Sequence, residues 1–482
     1  MFGLQSARLR TVRFHVVTRG YYTPKIPPLV LWEWSLARII SGMTFHKLQQ
    51  AFRHLPNGLS ATIFVALIGL ATARAQNPVT DWNNIAINAA VAANQTTSPG
   101  SFNQPSSMMY LAYVHLAVFD AVNAIDHQYD SYGADITAPS TASKEAATIE
   151  AAYRMCLYLF PDQAATLATQ YNASMAAISD GSAKSDGMQA GLAAANSIIA
   201  LRTGDGRLAT VPYTWPSVPT AGVWIPTPPA FASPILTWFG NVVPFTMSTS
   251  SQFRPGPPPK LSSEKWAKAY NETKDFGFLN STVRTPQQTE VALFWTDHAG
   301  KQFGRAFRAL AIARDLDVFE SARLFATLYA AGADGAIGCF DAKYHYNFWR
   351  PITAIQNGDI DGNPDTAKDA SWAAIVATPA FPEYPSAHSC MAGAFAGALR
   401  NFFGTSKVTL VVTSAVTNTT HTFTDTRDIV TEMAEARIDA GFHYRFSVNE
   451  GAELGSDVAR QIRKKYFRRL HGDGRDDADD DE

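Results

Sequence analysis

Through residues 108–125 apolar side chains fall on every side of a helix (Met-Met-Tyr-Leu-Ala-Tyr-Val-His-Leu-Ala-Val-Phe-Asp-Ala-Val-Asn-Ala-Ile), with His115, Asp120 and Asn123 as the exceptions. A helix apolar all round belongs inside a bundle. Its three polar residues are read as internal hydrogen-bonding groups, with the lining of a site as the alternative. Further helices are predicted over residues 142–160, from Pro161 to about Ile178, and over 185–201, all rich in Ala, Leu, Met and Gln. Residues 203–260 change character: twelve of the 27 prolines fall there, with Trp215, Trp224 and Trp238. Flexible linkers are poor in aromatics, so this stretch reads as an irregular strap pressed over the helices.

Helical signals resume at Ser262. At Thr285-Pro286-Gln287-Gln288 the N-cap, the proline at the first position and the glutamine at the third form a capping box, and Asp317-Val318-Phe319-Glu320 repeats the device before a long helix toward Phe340. Between Lys407 and Thr426, β-branched and polar residues alternate, which predicts a short hairpin. The pattern is that of an all-α protein with two helical bundles and a small β-hairpin insertion: a first bundle over 76–202, the strap over 203–260, and a second bundle over 261–470.

Composition changes this picture mainly at the ends. With 46% hydrophobic and 17% charged residues the chain is ordinary globular material. The formal charge of −2 hides nine basic residues against one acid in residues 1–75, and seven acids crowd residues 473–482. The basic cluster Arg463, Lys464, Lys465, Arg468, Arg469 is short and runs into that acidic tail, so no nucleic-acid footprint is expected. Residues 59–73 form an apolar run preceded by positive charge and ended by Ala73-Arg74-Ala75, the pattern of a secretory signal peptide. We expect translation from Met43, cleavage near Ala75, a secreted or periplasmic product and no membrane span in the mature chain. N-terminal sequencing checks this, since an end near Gly20 would instead indicate an organellar presequence. Cys156, Cys339 and Cys390 lack C-x-x-C spacing and are expected to be small buried hydrophobes.

Candidate chemistry gathers in three places. In residues 381–390, Phe-Pro-Glu-Tyr-Pro-Ser-Ala-His-Ser-Cys, two prolines give way at Ser386 to small helix formers. A helix starting there offers unpaired amides and a partial positive charge, beside the Ser386 hydroxyl and the His388 imidazole, as a seat for an oxyanion. Lys343 precedes Arg350-Pro351 by seven positions, about 700° of helix, which would set both cations on one face two turns apart, amid the bulky Tyr344, Tyr346, Phe348 and Trp349. Two walled-in cations call for an anion. Arg437 and His443 lie about 120° apart on an ideal helix and converge only if the helix ends near Gly441.

The order Lys343-x6-Arg350-Pro351, Pro385-Ser386-x-His388, Arg437-x5-His443 resembles the signature of the vanadium-dependent haloperoxidases and the acid and lipid phosphatases related to them. The helical layout from about Trp82 onward also resembles the larger bacterial haloperoxidase-like members. The resemblance implies vanadate as cofactor, or phosphate in a phosphatase. Lys343, Arg350, Arg437, Ser386 and the amide of Ala387 would hold the equatorial oxygens. His443 would bind the central atom, as the vanadium ligand or as a phosphoryl-accepting nucleophile. His388 would be the general acid and base at the apex, and Lys343 would polarise the peroxide. Three positions depart from the pattern: Ala387 for glycine, Ala436 for serine, and Ser447 for the aspartate that in the phosphatases orients the histidine. The last favours vanadate ligation over phosphohistidine chemistry.

The expectation is therefore a haloperoxidase using hydrogen peroxide, a halide and a small organic acceptor, with homo-oligomerisation open. No C-x-x-C-H or G-x-G-x-x-G accompanies the site. A secreted acid phosphatase with the same pocket is the first alternative, and an oxyanion-binding protein without turnover the second. His388 argues against the second, because pure binding needs no acid-base group at the apex.

Overall fold

The computed structural model describes residues 77–93 and 105–470, so the signal-peptide pattern and the acidic tail lie outside the described residues. The elements in chain order are α1 (Pro78–Ala92), α2 (Ser106–Asp126), α3 (Lys144–Leu159), α4 (Ala164–Ala176), α5 (Ser182–Leu201), α6 (Glu264–Gly277), α7 (Pro286–Phe294), α8 (Ala299–Ala313), α9 (Val318–Tyr346), α10 (Pro351–Gln356), α11 (Ala387–Phe403), β1 (Leu410–Thr413), β2 (Thr420–Phe423), α12 (Thr426–Asp439) and α13 (Arg445–Lys465). The fold is all-α apart from one antiparallel hairpin, with Leu410 opposite Phe423 and Thr413 opposite Thr420.

Local chemistry explains the boundaries. Both predicted capping boxes form, Thr285 with Gln288 and Asp317 with Glu320, and each fixes the first turn of its helix. From its cap, α9 runs to Tyr346, past the predicted end, because its Ala- and Gly-rich middle packs on all sides. It stops where Asn347 turns left-handed at φ 51°. Among the described residues, α2 alone is long and apolar enough to cross a membrane, and it is wholly buried within the fold. Its polar residues bond internally. His115 meets Asn83 at 2.9 Å, Asp120 accepts the amides of Tyr132 and Gly133, and Asn123 accepts from Gln128 and Tyr129.

One continuous apolar core extends from Val79 in α1 through α2, α3, α9 and α11 to Phe467. A second cluster is mainly aromatic: Trp266, Tyr270, Phe348, Trp349, Trp372, Tyr384, Tyr444 and Phe446 are among its members. Between Leu201 and Glu264 the chain is irregular except for a short 3-10 turn at Phe239–Asn241. That segment is tied down at its middle by Asp334 of α9, which accepts the amides of Phe245, Thr246 and Met247 and the Thr246 hydroxyl. Four bonds satisfy a carboxylate that is otherwise fully buried.

Candidate oxyanion site

The site forms where the C-terminal end of α9, the start of α11 and the turn between α12 and α13 meet. Lys343 sits in the last turn of α9, fully buried, and its Nζ donates to the carbonyls of Pro382 (3.0 Å) and Glu383 (2.7 Å). Arg350 is not on that helix. The chain leaves α9 at Asn347, and Arg350 stands in extended conformation (φ −77°, ψ 153°) as N-cap of α10, whose first residue is Pro351. The expectation of a shared helical face is thus corrected. Proline at the first position starts a new helix rather than prolonging the old one, and the two cations meet because the chain turns between them.

Arg350 is also fully buried. Its Nε donates to the Phe381 carbonyl (2.9 Å) and its Nη1 to the Phe442 carbonyl (3.0 Å), and Nη1 lies 3.3 Å from His443 Nε2. Both cations flank one ring: the Phe381 centroid is 5.2 Å from Lys343 Nζ and 4.8 Å from the Arg350 guanidinium.

Residues 381–386 approach without helical structure, as their prolines require, and Ser386 caps α11 by accepting from the Ser389 amide at 3.4 Å. Ala387 is the first residue of α11 and has negative φ, so alanine in place of glycine costs no strain there. Its amide belongs to the first turn, which has no intrahelical acceptor to offer. His388 follows in the same turn and is the partly exposed member of the set. Ser386, Ala387, Lys343, Arg350, Arg437 and His443 are buried.

Gly441, at φ 75°, ends α12 as anticipated, and the amides of Phe442 and His443 fold back onto the Arg437 carbonyl. Arg437 Nη1 donates to the Trp295 carbonyl at 3.2 Å, and the guanidinium lies 4.7 Å from the Phe442 ring. Arg350, Lys343, Arg437 and His388 all lie close enough to bear electrostatically on His443, so the three sequence motifs meet at one point.

Burial without sufficient counter-charge governs the electrostatics. Desolvation pushes Lys343 down to about 8, Arg437 to about 9 and Arg350 to about 10, with Arg350 also repelling the other two. His443 and His388 are both driven well below the ordinary imidazole range, first by desolvation and then by the surrounding cations. Both are therefore neutral with a lone pair to offer. Three buried cations face one buried carboxylate, and Arg350 Nη2 and Arg437 Nε have no hydrogen-bond partner. An oxyanion of charge two or three would supply both the acceptors and the compensation. Vanadate and phosphate fit this donor set.

That carboxylate is Glu383, which sequence reasoning gave no role. Its Oε1 lies 2.7 Å from His443 Nδ1 and accepts the Tyr444 amide at 3.3 Å. Burial raises it to about 7 against the opposing pull of Lys343, Arg350 and the Tyr444 amide. A signal was present: Glu383 is the sole acid between Asp369 and Asp425. The three cysteines are free and buried, and Cys339 Sγ lies 3.5 Å from the Pro385 carbonyl oxygen.

Comparison with known proteins bears on the fold. Residues 323–472 match the model of the VCPO second helical-bundle domain. Vanadium chloroperoxidase of Curvularia inaequalis is 30% identical over 151 residues, 26% of this chain and 24% of that protein, so the matched stretch spans about a quarter of the relative's length. Among solved structures, a bacterial vanadium-dependent iodoperoxidase superposes with a TM-score of 0.67 at 24% identity, covering 81% of this chain and 97% of its own. A holo-type bacterial vanadium-dependent chloroperoxidase gives 0.62 at 15% identity, covering 78% and 96%. The chain thus has the fold of the bacterial vanadium-dependent haloperoxidases, and its residues 323–472 match the model of the VCPO second helical-bundle domain.

Proposed function

We propose that this chain is a vanadate-dependent haloperoxidase in which a halide, hydrogen peroxide and one proton give hypohalous acid and water, the oxidised halogen then passing to a small organic acceptor. The observation that carries the reading is the pair of unpartnered buried donors, Arg350 Nη2 and Arg437 Nε, in a pocket with excess positive charge whose partly exposed member is His388.

In this reading Lys343, Arg350, Arg437, Ser386 and the Ala387 amide hold the oxyanion, and His443 Nε2 is the ligand atom. Bound vanadate would act as a pentavalent Lewis acid that makes peroxide electrophilic toward halide. His388, neutral at rest, takes a proton from incoming peroxide and returns one to the leaving oxygen. Lys343, held by two backbone carbonyls, keeps its third N–H for an oxygen of the reacting group. The aromatic wall of Phe348, Trp349, Tyr384 and Tyr444 limits access of bulk water on that side.

Glu383 favours one second reading. Since a carboxylate does reach His443, the serine at 447 no longer argues against a phosphatase with a histidine nucleophile. One assay separates the two: purified protein with and without added vanadate, given peroxide and bromide in one cuvette and a phosphate monoester in the other. Vanadate-dependent bromination is the expected result. Ester cleavage that vanadate only inhibits would replace our reading with the phosphatase.

A further inference from the structure

We infer that Glu383 is the positioning residue for His443, a carboxylate moved from the start of α13, where Ser447 stands, to the loop before α11. The inference rests on the oxyanion-site reading above and concerns which nitrogen of His443 is left to meet the anion.

Two contacts on opposite sides of the ring fix the same tautomer. On the Nδ1 side, Glu383 Oε1 lies 2.7 Å away and also accepts the backbone N–H of Tyr444. An oxygen taking a backbone N–H is the acceptor of its carboxyl group, so Nδ1 carries the proton and donates it. On the other side, Arg350 Nη1, which can only donate, lies 3.3 Å from Nε2. Nε2 therefore presents its lone pair to the cations. A neutral imidazole has one proton to place, and both contacts place it on Nδ1.

Glu383 is itself held. Its amide donates to the Phe348 carbonyl (2.9 Å) and its carbonyl accepts Lys343 Nζ (2.7 Å), so the residue that orients the histidine is tied to one of the cations of the cradle. It is fully buried. Ser447 lies one turn along from Tyr444, whose amide Glu383 binds, and its buried hydroxyl and Glu383 Oε2 both lack a hydrogen-bond partner. On this inference a carboxylate at 447 would serve Nδ1 in place of Glu383.

The test uses the full chain. In protein labelled with ¹⁵N in its histidines, with His443 assigned by comparison with a His443→Ala variant, the imidazole shifts should report the Nδ1–H tautomer. An Nε2–H tautomer overturns the inference whatever oxyanion the site binds. Orthovanadate affinity, measured calorimetrically, should weaken by about 10- to 100-fold in Glu383→Gln, as is usual when the partner of a ligating histidine is lost. It should recover to within a few-fold of wild type in Glu383→Gln/Ser447→Asp. Wild-type affinity in the single variant, or a folded double variant without recovery, overturns it. Should wild-type protein bind no vanadate at all, the functional reading fails, and the tautomer measurement still decides the role of Glu383.

Discussion

His388 and His443 face the same cations but differ in exposure and partners, and their division of labour follows from that difference. His443 is buried and locked between Glu383 and Arg350, whereas His388 sits in the first turn of α11 at the accessible edge. We therefore expect His388→Ala to keep vanadate affinity within a few-fold and to slow bromide oxidation by about 10²- to 10⁴-fold, the usual worth of a general acid. Equal loss of binding would mean that His388 is part of the cradle. A different histidine is expected to weaken the fold in acid. Burial pushes His115 from its ordinary 6.5 down to about 3. The unfolded chain takes up a proton below the ordinary value and the folded chain does not, so this contribution is complete above 6.5 and is lost as pH falls toward 3. In His115→Gln the gap in unfolding free energy between pH 7.5 and pH 4.5 should shrink by roughly 3 kcal/mol, read from urea titrations. An unchanged gap would show that other groups control the acid limb.

At this same scale the limits of the sequence are visible. Lys343, Arg350, Ser386, His388, Arg437 and His443 could be singled out from short local motifs and the family resemblance these carry together. Glu383 could not, because its partner lies 60 residues away and the contact exists only once α11 docks beside the turn after α12.

Among elements, the site depends on how closely α11 and α13 approach, since one begins with Ser386 and His388 and the other follows His443. Glycines permit that approach. A methyl group at Gly393 would collide with the Ala452 carbonyl oxygen, and one at Gly455 with the carbonyl oxygen of Cys390. We expect Gly455→Ala to lower stability by about 1–3 kcal/mol, as overpacking does, and to weaken vanadate binding although it touches no proposed ligand. Denaturation and titration of the same preparation check both effects, and an unaltered affinity would show that the site tolerates a displaced α13. Caps and proline positions made most helix starts legible, but the path between Lys343 and Arg350 was not. Seven residues fit two helical turns as well as they fit an exit, a left-handed asparagine and a new helix. The choice was made by Asn347 and Pro351 together with tertiary burial of both cations. The strap was legible as irregular, while its anchoring on the Asp334 carboxylate depends on contacts almost ninety residues apart in sequence.

For the whole molecule, the helices form a frame that buries three cations and leaves their compensation to a ligand. Folding alone does not satisfy Arg350 Nη2 or Arg437 Nε, so the oxyanion should add to stability in proportion to its binding. The aromatic cluster on one side and the main core on the other keep the pocket in low-dielectric surroundings, where each charge-assisted bond is strong. The central claim is that these parts make one vanadate seat with His443 as the ligand. It is tested most directly by calorimetric titration of the purified chain with orthovanadate, in wild type and in His443→Ala. The account predicts one equivalent bound per chain, displaced by phosphate, and no measurable binding in the variant. Undiminished binding in His443→Ala, or none in the wild type, would contradict it.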